Sequence, residues 1–89
     1  MMDLRKIYPN KPYVYVLRSN KDSGIYIGST RNLPSRLKAH HYGKVKSTKG
    51  RRPFDLVYIE LCDSYTEARK KEIYFKSGAG REFLDGMNI

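Results

Sequence analysis

The chain has a single cysteine, no tryptophan and no long apolar run. A lone Cys62 excludes an internal disulfide framework and a cysteine-built zinc site, and fits a small core filler in a reducing compartment. No stretch approaches the roughly 20 apolar residues that a helix needs to span a bilayer. The N-terminus has no apolar signal-like segment either, so the expectation is a cytoplasmic protein with no membrane association. Acid is scarce as well: 9 Asp and Glu stand against 18 Lys and Arg, a net charge of +9 over 89 residues. From Ser23 to Phe54 there is no acidic residue at all, while Arg31, Arg36, Lys38, Lys44, Lys46, Lys49, Arg51 and Arg52 fall in that stretch. A surface of one sign attracts polyphosphate, with an affinity that falls steeply with salt. Nucleic acid is the partner this predicts; a merely soluble basic surface is the plainer reading.

The length allows one domain with a small core and leaves no room for a separate reading module. Met1 to Pro12 is polar, interrupted by Pro9 and Pro12, and reads as an N-terminal arm (1–12) before a domain over 13–84 and a tail over 85–89. Tyr13 to Leu17 is β-branched and aromatic, a strand by propensity. Asn20 to Gly24 supplies turn chemistry, and Ile25 to Gly28 makes a second strand. So short a connection can only join antiparallel neighbours. Asn32 as N-cap and Pro34 in the first turn open a helix from Leu33 to about Tyr42, closed by Gly43. A basic loop, Lys44 to Pro53, leads to a third strand, Phe54 to Leu61. Ser64 and Glu67 form a capping box for a helix running to about Ser77. A final turn or two of helix covers Arg81 to Leu84. The order β-β-α-β-α-α predicts an α+β fold: a small three-stranded antiparallel sheet flanked by helices.

Periodicity places a few polar groups where apolar ones belong. Tyr65, Ala68, Glu72 and Phe75 share one helix face, so Glu72 is a carboxylate on an inward surface. Such a group must be paired, protonated or metal-bound; ion pairs to Arg69 or Lys76 on its own helix would satisfy it. Arg36 and His40, four apart, share a side of the first helix, and a guanidinium fork matches phosphate oxygens. His40 and His41 do not face one way and make a poor metal pair. By strand parity Tyr13 and Tyr15 point opposite to Val14 and Val16, and a hairpin brings Tyr15 and Tyr26 to one side beside the open space of Gly28. Tyrosines on a small sheet are ordinarily packing residues, so that reading stays open too.

Taken in order, these residues resemble the GIY-YIG nuclease superfamily. Tyr26-Ile27-Gly28 is that family's second motif verbatim, followed by Arg36 and His40 on the next helix and by Glu72 within Ala68-x-x-x-Glu72-x-Tyr74-x-Lys76. Tyr13-Val14-Tyr15 takes the place of the first motif. Gly24-Ile25-Tyr26 spells that motif literally but shares Tyr26 with the second, and two strands cannot share one residue. The likeness covers about Pro12 to Leu84 and is similar to the nuclease domain of the UvrC excision-repair proteins without its companion domains. The chain departs from the pattern in Tyr-Val for Gly-Ile, and in having no Asn between Glu72 and Asn88.

The resemblance implies a metal-dependent endonuclease that hydrolyses phosphodiester bonds, in DNA rather than RNA, in repair or recombination. It implies catalytic roles for Tyr15, Tyr26, Arg36, His40 and Glu72. Glu72 would hold one Mg²⁺ or Mn²⁺, and Arg36 a non-bridging phosphate oxygen. Tyr26 would be the base and Tyr15 its support. A free phenol has a pKa near ~10, so Arg36, His40 and the metal would have to lower it, with His40 relaying the proton. Arg31, Lys38, Lys44, Lys46, Lys49, Arg51 and Arg52 would hold the nucleic-acid backbone. A homodimer, or a protein partner supplying specificity, stays open. So do two alternatives: a catalytically inactive nucleic-acid-binding module of the same fold, and a small protein-interaction domain.

Overall fold

The structure, a computed structural model, describes residues 7–89; the first six residues of the expected arm lie outside them. Strands β1 (Tyr13–Ser19), β2 (Ile25–Thr30) and β3 (Phe54–Leu61) form one antiparallel sheet in the order β2-β1-β3. Helix α1 (Leu33–His41) follows β2, and α2 (Tyr65–Lys76) and α3 (Gly78–Gly86) follow β3. This is the α+β arrangement the sequence predicts. Asn32 accepts from the Ser35 N–H at 3.2 Å and Ser64 from the Glu67 N–H at 3.1 Å, so both expected N-caps form. The connection between α1 and β3 contains a single 3₁₀ turn, Lys49–Arg51. Among the described residues no helix is long and apolar enough to cross a membrane.

Alternation on the central strand divides the core in two. Val14 and Val16 face α2 and α3 and pack with Ile27, Cys62, Ala68, Phe75 and Leu84. Tyr13, Tyr15 and Leu17 face the other way and pack with Leu33 of α1, with Leu37 and Phe54 at the margin. Sequence parity therefore sorted the strand residues correctly. Cys62, just beyond β3, is buried, and burial raises its thiol pKa.

The chain end differs from expectation. Helix α3 is not a turn or two over Arg81–Leu84 but nine residues, capped at its start by Ser77, whose hydroxyl accepts from the Gly80 N–H. Residues 85–89 continue the helix to Gly86 and then fold back, so that Ile89 donates to the Leu84 carbonyl and packs against the α2/α3 side of the core. The signal hidden in the sequence was Ser77 as a cap. Three small residues, Gly78, Ala79 and Gly80, have poor or neutral helix propensity and mask it. At the other end, Ile7 packs against the tyrosine side of the core, and the Tyr8 N–H donates to the Tyr13 hydroxyl at 3.0 Å.

Candidate active site

The α1 side of the sheet gathers four of the five expected catalytic residues. Tyr15 comes from the central strand, Tyr26 from the edge strand β2, and Arg36 and His40 from α1. The Tyr15 and Tyr26 rings lie 6.2 Å apart, and the His40 ring stands edge-on to both, at 5.7 and 5.1 Å. Gly28, paired with Tyr15 in the sheet, leaves room for that ring: a Cβ there would lie 2.6 Å from the Tyr15 hydroxyl.

Tyr15 is wholly buried and His40 only 2% exposed, so their polar atoms must find partners inside. Tyr15 Oη lies 2.8 Å from His40 Nε2, and His40 Nδ1 lies 2.8 Å from the hydroxyl of Thr48. The neighbouring Tyr15 and Tyr26 hydroxyls raise the pKa of the Arg36 guanidinium. Burial pushes the Tyr15 hydroxyl well above a phenol's ordinary value, more than Arg36 pulls it down. Burial, with help from the Arg36 charge, lowers His40 to about 4. His40 is therefore neutral at pH 7. It can take a proton, but it cannot lower a tyrosine's pKa by its charge, as Arg36 does for Tyr15.

Glu72 sits elsewhere. Its helix covers the opposite face of the sheet, where Ser29, one residue beyond Gly28, points by parity. Glu72 is 7% exposed. Ser29 donates to its Oε1 at 2.5 Å, Arg69 to both oxygens at 3.1 Å, and Lys76 to Oε2 at 2.7 Å. Burial would raise its pKa, but the hydrogen bonds from Lys76 and Ser29 and the charges of Lys76 and Arg69 outweigh it, and the carboxyl is held below its usual value. The ion pairs that the sequence offered as the plain explanation of Glu72 thus both form. The two halves meet across the β2 edge, where a groove of about 320 Å³ is lined by Ser29, Thr30, Arg31, Arg36 and Tyr65. Its lining includes both Ser29, whose hydroxyl holds Glu72, and Arg36 of the tyrosine cluster.

The donor chemistry fits one divalent cation. Mg²⁺ takes one or two carboxylates and completes its shell with water and substrate oxygens. Glu72 is ionised, and its cationic partners hang on long, half-exposed side chains that can turn to solvent. Among the described residues no cluster of three or more His, Cys, Asp or Glu forms, and Glu72 is the carboxylate that would hold the ion.

The basic residues divide. Arg31, Lys38, Lys44, Lys46, Lys49 and Arg52 are exposed. Arg31 stacks over the Tyr65 ring at 3.8 Å, beside the groove. Arg51 pairs with Asp22 at 3.3 Å, and Arg52 donates to the Lys49 and His41 carbonyls, so these two also stitch the loop. Two side chains that sequence reasoning passed over are Thr48 and Ser29. Hydroxyls are common in loops and strands, and neither carries a signal until its partner is in place.

Residues 11–83 match the GIY-YIG catalytic domain. The chain belongs to this family. Its relatives include the UPF0213 protein SH2523 of Staphylococcus haemolyticus, 43% identical over 75 residues that cover 83% of this chain and 90% of that one. The UPF0213 protein CPE1444 of Clostridium perfringens is 46% identical over 65 residues, covering 72% of this GIY-YIG chain and 69% of the relative. The solution NMR structure of the UPF0213 protein BH0048 from Bacillus halodurans shares the fold, with a TM-score of 0.54 and 36% identity over 86% of this chain and 84% of that one. The GIY-YIG domain is of nuclease type and implies nucleic acid as the partner.

Proposed function

We propose that this GIY-YIG protein is an endonuclease that hydrolyses phosphodiester bonds of DNA with one Mg²⁺ or Mn²⁺ held by Glu72. The observation that carries the reading is the groove along β2, whose lining brings Arg36 together with the Ser29 that holds Glu72. When bound, the cation supplies Lewis-acid polarisation of the scissile phosphate and neutralises charge at the leaving oxygen. Arg36 grips a non-bridging oxygen, where negative charge grows in the transition state. Tyr26, half-buried rather than sealed, holds and deprotonates the attacking water. Tyr15 stays protonated in its buried place and supports the cluster through His40, which as a neutral imidazole can accept a proton. The exposed lysines of the α1–β3 loop hold backbone phosphates without reading sequence. Repair and recombination are settings in which such a cut serves.

The test is cleavage of labelled single-stranded, duplex and branched DNA, with RNA alongside, in Mg²⁺ or Mn²⁺. Glu72→Ala should abolish cleavage and leave binding intact, since removing an acidic group cannot cost phosphate affinity. Glu72→Gln keeps the side chain's shape as a fold control. Wild-type cutting by Glu72→Ala would remove Glu72 from the site. Binding without metal-dependent cleavage by the wild type would favour the inactive binding module, for which the altered first motif and the absent Asn speak.

A further inference from the structure

We propose that Thr48 is a positioning residue: it holds the His40 ring in the Nδ1–H tautomer, leaving Nε2 to accept the proton of the Tyr15 hydroxyl. Thr48 Oγ1 lies 3.3 Å from the Val45 carbonyl oxygen, which can only accept, so the Thr48 hydrogen is committed there. The same hydroxyl oxygen lies 2.8 Å from His40 Nδ1 and is left to accept, so Nδ1 carries a hydrogen. In the neutral ring Nε2 then carries none. Nε2 lies 2.8 Å from the Tyr15 hydroxyl and accepts its proton. The direction fixed at the Thr48 end thus reaches Tyr15.

A histidine in water favours the opposite tautomer, with hydrogen on Nε2, which would leave a bare Nδ1 facing a Thr48 hydroxyl whose hydrogen is already given to the Val45 carbonyl. Thr48 stabilises the less favoured form. It can do so because it is buried, with no exposed surface, in a loop whose neighbours Lys46, Ser47, Lys49 and Gly50 are all exposed. Its backbone is pinned for the purpose: the Thr48 and Lys49 N–H groups both donate to the Val45 carbonyl, at 3.1 and 2.9 Å. The loop expected only to bind phosphates thereby also sets the proton order of the tyrosine cluster. The catalytic consequence rests on the nuclease reading; the tautomer itself does not.

The experiment compares wild type, Thr48→Val and Thr48→Ser. Nitrogen NMR of the histidine rings near neutral pH reports which ring nitrogen is protonated, in the free protein without metal or DNA. Wild type and Thr48→Ser should show His40 protonated at Nδ1, and Thr48→Val should move toward Nε2–H. In single-turnover cleavage Thr48→Val should lose about 10- to 100-fold in rate with little change in DNA affinity, as supporting partners of an imidazole do. Thr48→Ser should restore most of the rate. An Nε2–H ring in the wild type, or an unchanged ring in Thr48→Val, overturns the proposal. So does a changed ring with an unchanged rate. A wild type that cuts nothing sinks the nuclease reading instead, and the ring spectrum still decides the tautomer.

Discussion

Two tyrosines of one cluster are in unlike surroundings, and under the proposed nuclease reading that difference divides their roles. Tyr15 is sealed beneath α1 with its hydroxyl committed to His40, while Tyr26 remains half-buried on the edge strand. Tyr26→Phe should therefore reduce cleavage by about 100-fold or more, the usual reach of a general base. Tyr15→Phe should cost less in rate but lower stability, because it strands His40 Nε2 in the core. Single-turnover rates beside urea midpoints would separate the two; equal rate losses would erase the distinction. His40 makes a second residue-scale prediction. Its folded pKa, about 4, lies below the ordinary value of 6.5, so the unfolded chain binds the proton more readily. The stability contributed by the neutral ring is full above about pH 6.5 and is lost as pH falls toward about 4. Urea midpoints at about pH 7.5 and about pH 5 should fall for the wild type and fall less for His40→Gln. Parallel falls would mean that His40 is not the group titrating.

At the scale of elements, α2 and α3 meet closely at Gly80. Gly80 lies so close to α2 that a Cβ there would sit 1.9 Å from the Tyr74 carbonyl oxygen and 2.5 Å from the Phe75 Cα. Both are backbone atoms, which cannot step aside as a flexible side chain can. Gly80→Ala should therefore destabilise by about 3 kcal/mol or more, at the upper end of overpacking costs, even though alanine is the better helix former. A denaturation midpoint unchanged from the wild type would show that α3 can slide without loss. Since α3 contributes Leu84 to the core that α2 shares, the same change should loosen α2, and with it Glu72.

For the whole molecule, charge is the dominant statement. Binding to duplex DNA should weaken linearly on a log–log plot against salt, with a slope of about −0.9 per phosphate contacted. Lys44 and Lys46 are exposed on the α1–β3 loop. Replacing both by Ser should weaken binding to all sequences alike and reduce that slope by up to about 2. Arg51 would not behave so simply, because its pair with Asp22 ties the loop to the β1–β2 turn. A slope unmoved by the double change would place the DNA path elsewhere, for example at Arg31 beside the β2 groove.

Alternation and spacing alone determined a good deal. The three strands, the two N-caps, the tyrosines on one side of the sheet and the valines on the other, and Glu72 on an inward helix face were all legible, because each depends on neighbours within a few residues. The length of α3 was not, since three small residues hid a helix that tertiary packing stabilises against its propensity. Nor was the separation of Glu72 from the tyrosines: parity places Ser29 and Tyr26 on opposite faces, but only the packing of α2 decides which face Glu72 reaches. The protonation of the cluster was likewise decided by the folded structure. Burial and the Arg36 charge keep His40 neutral, a hydroxyl 8 residues away sets its hydrogen, and a sequence cannot show a partner that a loop must bend to deliver.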